Sequence, residues 1–208
     1  MPSLRQTLDF LLYLNLWNGA DPSADVNLDG WLDIYVCRSA MADSTLRTNL
    51  LYINNGDLTF TEAGERFGVQ DNSYTTHAAF FDYDRDGDVD LVTLNHSLPQ
   101  FAGFNSMLVS NKSRKAVKFQ SKLFRNDRGT FSDVSAQSGI INNVLSFGLG
   151  IAVSDINTDG WPDLYVSMVK FADGKPYPLI FKNLGAKDGL PQFREDALAV
   201  NDFPNKDD

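Results

Sequence analysis

Cysteine occurs once in these 208 residues, as Cys37, so no intrachain disulfide can form and cysteine usage leaves the redox compartment open. Histidine is almost as scarce. His77 and His96 are the only two, and neither has a partner at zinc-ligand spacing. Positive charge is short as well: 18 basic residues stand against 27 acidic ones, for a formal net charge of −9. The single basic run, Lys112-Ser-Arg114-Lys115-Ala-Val-Lys118, has no nucleic-acid-binding motif around it, which argues against a nucleic-acid partner. No apolar run is long enough to cross a bilayer. Phe10-Leu-Leu-Tyr-Leu-Asn-Leu-Trp17 is short, is interrupted by Asn15 and lacks a small-residue cleavage site, so no convincing signal peptide is expected from it. Catalytic signals are equally thin. Ser97, Ser146 and Ser154 have no nucleophile-elbow context, and Gly148-Leu-Gly150 lacks the spacing of a phosphate loop.

What the chain does have is aspartate in a fixed phase. Three nine-residue segments read Asp25-Val-Asn27-Leu-Asp29-Gly30-Trp31-Leu-Asp33, Asp82-Tyr-Asp84-Arg-Asp86-Gly87-Asp88-Val-Asp90 and Asp155-Ile-Asn157-Thr-Asp159-Gly160-Trp161-Pro-Asp163. A hard cation such as calcium takes six to eight oxygens at about 2.3–2.6 Å. Side chains at positions 1, 3 and 5, the backbone carbonyl at 7 (Trp31, Asp88, Trp161) and Asp at 9 can supply them, and glycine at 6 permits the turn that folds them inward. Magnesium fits less well, because it demands a tighter octahedron and keeps several waters. An EF-hand shares the first half of this pattern but needs Glu at position 12 and flanking helices. Position 12 here is Val36, Thr93 or Val166, in exits rich in β-branched and aromatic residues that read as strands. A single Asp/Asn/Gly cluster would be read as a polar turn capping its own backbone. Three in phase point to metal, since close carboxylates repel without a counter-charge. Ten of the 27 acidic residues are proposed ligands, so the acidity is mainly a metal requirement.

A second block follows each loop: Leu50-Leu-Tyr-Ile-Asn54-Asn-Gly56 ending at Phe60, Leu123-Phe-Arg-Asn126-Asp-Arg-Gly129 ending at Phe131, and Ile180-Phe-Lys-Asn183 with a longer turn to Phe193. Each reads as a hairpin. Position 9 to the hairpin Asn is 21 residues in the first unit (Asp33 to Asn54), 36 in the second (Asp90 to Asn126) and 20 in the third (Asp163 to Asn183). The middle unit therefore carries about 15 extra residues within 96–120. Apolar runs before the loops, the loop exits and the two hairpin arms give four strands per unit. Arg66-Phe-Gly-Val69 and Gln137-Ser-Gly-Ile140 link one unit to the next. Four-strand units of this length suggest radially packed propeller blades, with a stacked solenoid as the alternative.

These motifs resemble the FG-GAP and VCBS repeats of integrin-α-like β-propellers, most closely those of bacterial secreted or surface proteins. The likeness is nearly literal at Phe81–Leu91 and Leu123–Asn126 and covers roughly residues 24 to 196. It implies that each acidic loop joins the first and second strands of a blade and holds calcium. By that resemblance Asp82, Asp84, Asp86, the Asp88 carbonyl and Asp90 form the best-preserved site, Asp25, Asn27, Asp29 and Asp33 another, and Asp155, Asn157, Asp159 and Asp163 a third. Rings in this family usually have six or seven blades.

The expectation is therefore an all-β chain: a partial or oligomer-completed β-propeller of three four-strand units with calcium loops. Residues 1–23 are an atypical lead, 24–196 the blades (about 24–70, 71–141 and 142–196) and 197–208 a polar tail. Up to three calcium ions are expected, with a protein or glycan as partner, no nucleic acid and no membrane span. The chain is read as either self-associating or lacking the remainder of a longer protein. The insertion, with Phe101, Phe104, Lys112, Arg114, Lys115 and Lys118, is a possible binding loop; its basic run also reads as a solvated segment. His77 could face the second loop or be a strand-end polar residue. The functional expectation is a noncatalytic binding module, extracellular, at the cell surface or periplasmic. A scaffold portion of an extracellular carbohydrate-active enzyme is the alternative.

Overall fold

The computed structural model describes residues 23–39, 43–95, 121–140, 148–168 and 179–196. The N-terminal lead before Ser23, the binding-loop candidates Phe101, Phe104, Lys112, Arg114, Lys115 and Lys118, and the polar tail lie outside them. The described chain is all-β, with helix confined to a 3-10 turn at Thr45–Arg47 and one turn, α1, at Gly64–Phe67. Twelve strands form three antiparallel four-stranded sheets, each in sequence order. The first holds β1 (Ser23–Ala24), β2 (Asp33–Val36), β3 (Leu50–Asn54) and β4 (Phe60–Glu62). The second holds β5 (Thr75–Phe81), β6 (Asp90–Asn95), β7 (Lys122–Asn126) and β8 (Phe131–Asp133). The third holds β9 (Gly148–Ser154), β10 (Asp163–Met168), β11 (Leu179–Lys187) and β12 (Leu190–Glu195). In every sheet the acidic loop joins the first strand to the second.

The middle sheet is buried on both faces, which is why β6 shows no apolar/polar alternation and is buried along its whole length. Ala78, Leu91, Phe124 and Phe131 pack with Val26, Tyr35, Leu51 and Phe67 of the first unit. Their sequence neighbours Ala79, Val92 and Leu123 point the other way, onto Ile151, Leu164, Phe181 and Phe193 of the third. Period-two side-chain geometry thus feeds two cores from one sheet.

The links between units lie across the outer strand of the next. A Cβ on Gly68 would stand 2.8 Å from the Phe131 carbonyl, and one on Gly139 would collide with that of Phe193, so both positions need glycine. The Phe193 amide also donates to Ser138 O at 2.8 Å.

At the end of the sheets opposite the acidic loops, the first two units share a buried polar chain. Asn49 Nδ2 donates to Tyr35 Oη and Thr75 Oγ1, Thr75 Oγ1 donates to Asn95 Oδ1, and Asn95 Nδ2 donates to Asp71 Oδ2. Lys122 Nζ lies 3.5 Å from Asp71 Oδ1. Because β6 ends at Asn95 and β7 begins at Lys122, the insertion joins its sheet at this end, away from the loops. His77 is buried within β5 opposite Leu94. It precedes Asp82 by five extended residues, roughly 16 Å of strand, and so does not face the second loop.

Candidate metal centre

All three loops share one backbone. Position 4 is left-handed without glycine, with φ of 60° at Leu28, 61° at Arg85 and 61° at Thr158. Position 6 is left-handed with glycine, at φ 90° (Gly30), 96° (Gly87) and 89° (Gly160). A non-glycine residue in that region is disfavoured by roughly 1–2 kcal/mol, so three occurrences at the same position mark a conformation imposed by the loop. The glycine requirement was legible from sequence; the strained position 4, filled by Leu, Arg and Thr, was not.

Position 1 organises the turn. Asp82 accepts from the amides of Asp86 (3.2 Å) and Gly87 (3.0 Å), as Asp25 does from Asp29 and Gly30 and Asp155 from Asp159 and Gly160. Position 5 accepts from the amide of position 7 in each loop, at 2.9 Å. The side chain at 7 touches its own hairpin turn: Trp31 lies over Gly56, Trp161 over Gly185, and Asp88 Oδ2 accepts from the Arg128 amide.

Position 9 is buried in all three loops and takes two backbone amides. Asp33 accepts from Val26 and Asn54, Asp90 from Tyr83 and Asn126, and Asp163 from Ile156 and Asn183. These carboxylates stitch each loop to the third strand of its sheet. Every oxygen so engaged retains a lone pair for a cation.

The loops part company at position 3. In the first and third, Asn27 and Asn157 donate from Nδ2 to Asp29 (2.9 Å) and Asp159 (2.8 Å), so the amide supplies the positive dipole its neighbour needs. The second loop has Asp84 there instead. Oxygens of Asp82, Asp84 and Asp86 lie within 4.8 Å of one another, the one such acidic group among the described residues. Asp84 Oδ1 is buried with no hydrogen-bond partner. Burial, and then the charges of Asp86 and Asp82, push the Asp84 carboxyl up to about 6 despite the Asp86 amide. Burial also raises Asp90 to about 8, against the amides of Asn126 and Tyr83 that favour its ionised form; Asp84 and Asp86 add to the rise. An orphaned oxygen between two further carboxylates fits a divalent cation, which would satisfy the oxygen and cancel the repulsion. Asp82, Asp84 and Asp86 would hold it.

The raised values fix a pH dependence. The folded chain holds these protons more tightly than the unfolded one, so the two groups contribute stability that is complete below about pH 4 and lost as pH rises towards 8. The melting temperature of chelated protein should fall between about pH 5 and pH 8, and Asp84→Asn should fall less. Parallel pH curves for the two proteins would contradict this origin.

The first two loops stand side by side at one end of the sheets, flanking an open groove of about 580 Å³ lined by Leu28, Asp86, Gly87, Asp88, Asp127 and Arg128. Arg85 of the second loop lies over the Trp161 ring of the third, 5.4 Å from its centroid. The hairpin asparagines, read from sequence as turn residues, also lock sheet to sheet. Asn126 Nδ2 donates to Val26 O of the first loop at 2.9 Å, and Asn183 Nδ2 to Tyr83 O of the second at 2.8 Å. Their recurrence at one hairpin position was the signal that could have revealed this role.

No helix among the described residues is long and apolar enough to cross a membrane. No curated protein matches the chain. Residues 25–93, from the first acidic loop into β6 of the second sheet, match the FG-GAP-like repeat, and that repeat is the kind of unit the loops and four-stranded sheets build.

Proposed function

We propose that this chain is a calcium-binding, noncatalytic β-propeller module of the integrin-α-like FG-GAP/VCBS type that engages a protein or glycan at the cell envelope or outside the cell. The observation that carries the reading is the second loop, where Asp84, which has one buried oxygen without a partner, clusters with Asp82 and Asp86 in a segment matching the FG-GAP-like repeat. The first and third loops repeat its backbone, which supports up to three calcium ions, the second loop holding the strongest. Modular sites built on a few loop carboxylates suit the millimolar calcium of an extracellular, surface or periplasmic setting. Partner binding is assigned to the insertion at the opposite end of the sheets, with Phe101, Phe104, Lys112, Arg114, Lys115 and Lys118, because loops on a rigid repeat scaffold commonly carry recognition.

Calcium titration by calorimetry tests the assignment on three proteins. Wild type should bind saturably, Asp84→Ala should lose at least about tenfold in affinity at its tightest site, about 1.4 kcal/mol, and deletion of residues 102–116 should bind like wild type. Equal affinity in wild type and Asp84→Ala would reduce the second loop to a turn. A calcium defect in the deletion would place the insertion in the metal scaffold.

A further inference from the structure

The two sheet-to-sheet junctions inside the molecule are built alike, and each outer sheet carries half of a third. Counting from the position-9 Asp, Ile34, Leu91 and Leu164 correspond; counting from the hairpin Asn, so do Tyr52, Phe124 and Phe181. Phe60, Phe131 and Phe193 each pair across the hairpin with that Asn. In the second and third sheets this leading face is buried on the preceding unit. In the first sheet Ile34, Tyr52 and Phe60 are only half-buried. The trailing face shows the converse. Tyr83 and Val92 of the second unit are 0% and 1% exposed beneath the third, whereas their counterparts Ile156 and Tyr165 are 42% and 39% exposed, although Ile180 beside Tyr165 is buried.

The polar lock is divided in the same way. Asn126 donates both to Val89 O of its own unit and to Val26 O of the preceding one. Asn54 makes only the first kind of bond, to Leu32 O at 3.2 Å, and has no second acceptor for its amide among the described residues. At the other end Ile156 O, the counterpart of Val26 O and Tyr83 O, accepts no Asn amide among them.

We propose that these halves meet between two copies of this chain, the first sheet of one docking head to tail on the third sheet of another. Asn54 of one copy donates to Ile156 O of the other, and Tyr52 and Phe60 cover Tyr165 and Ile156. A second copy is the occupant because the chain itself presents both halves of a junction it already makes twice, with equivalent apolar and aromatic positions and the same kind of donor and acceptor. Such an interface is heterologous: it closes a ring where the rotation permits and otherwise extends.

Sedimentation of the full chain with calcium present tests this with one variant on each face. Wild-type mass should rise above 23.1 kDa with concentration. Phe60→Glu and Tyr165→Glu should each move association to at least about tenfold higher concentration. An equimolar mixture of the two should associate again as a 1:1 pair, because one retains an intact trailing face and the other an intact leading face. Thermal melting checks that each variant is folded, and Asn54→Ala, which adds no charge, should weaken association while lowering the melting temperature by less than about 4 °C. A wild-type mass fixed at 23.1 kDa overturns the proposal and leaves the faces to a different protein. Variants that associate like wild type, or a mixture that behaves as two monomers, overturn it as well.

Discussion

Asn126→Ala should destabilise the protein by about 3 kcal/mol, lowering the melting temperature by about 10 °C. The side chain is 1% exposed and makes three bonds: Nδ2 donates to Val26 O and Val89 O, and Oδ1 accepts from the Gly129 amide at 2.7 Å. Truncation strands one buried carbonyl, one part-buried carbonyl and one turn amide, at about 1–3 kcal/mol for each group left fully unsatisfied. A chain of this length moves by about 2–4 °C per kcal/mol. Asn54→Ala removes two exposed bonds, one to Leu32 O and one from the Gly56 amide, and should cost under about 1 kcal/mol. Thermal melts of the two variants side by side measure the difference. Equal losses would mean that the lock to Val26 contributes nothing beyond the turn.

By the same physical logic, calcium is expected to act as a folding ligand. Chelated protein must hold the Asp82, Asp84 and Asp86 carboxylates within 4.8 Å with one oxygen unpartnered, whereas the unfolded chain disperses them in water. A ligand that binds only the folded state stabilises it by about 2.7 kcal/mol per site at a concentration one hundred times its dissociation constant. That corresponds to about 5–10 °C for a single loop. Asp84→Asn should behave oppositely with and without the ion. It relieves repulsion in chelated protein and so melts higher than wild type there, and it gains less from calcium. The first and third loops already contain this amide, as Asn27 and Asn157, and their internal bonds to Asp29 and Asp159 show the relief it provides.

Much of this arrangement was readable in the chain because its signals are local. Alternating Asp and Asn around Gly30, Gly87 and Gly160, followed by β-branched exits, fixed the loop between first and second strands. An apolar arm, an Asn/Gly turn and a Phe-ended arm around Asn54, Asn126 and Asn183 fixed the hairpins. What escaped depends on a neighbouring sheet. Asn126 reaches Val26 across 100 residues of sequence, and only the recurrence of Asn at that hairpin position, not its immediate surroundings, sets the clamp apart from an ordinary turn residue. Position 9 was read as a ligand from its phase alone; its second duty, bonding Asn126 N and Tyr83 N through Asp90, appears only once β6 and β7 are paired. His77 was ambiguous because a strand places its residues by distance along the chain, and five extended residues separate it from the loop it might have served.

If the acidic loops are calcium sites that help hold the sheets together, the melting temperature of chelator-treated protein should respond as calcium is added back at neutral pH. The expected result is a saturable rise of about 5–10 °C or more, larger for calcium than for equal magnesium and much reduced in Asp84→Ala. A melting temperature that does not respond to calcium, or an equal rise in wild type and Asp84→Ala, would contradict it.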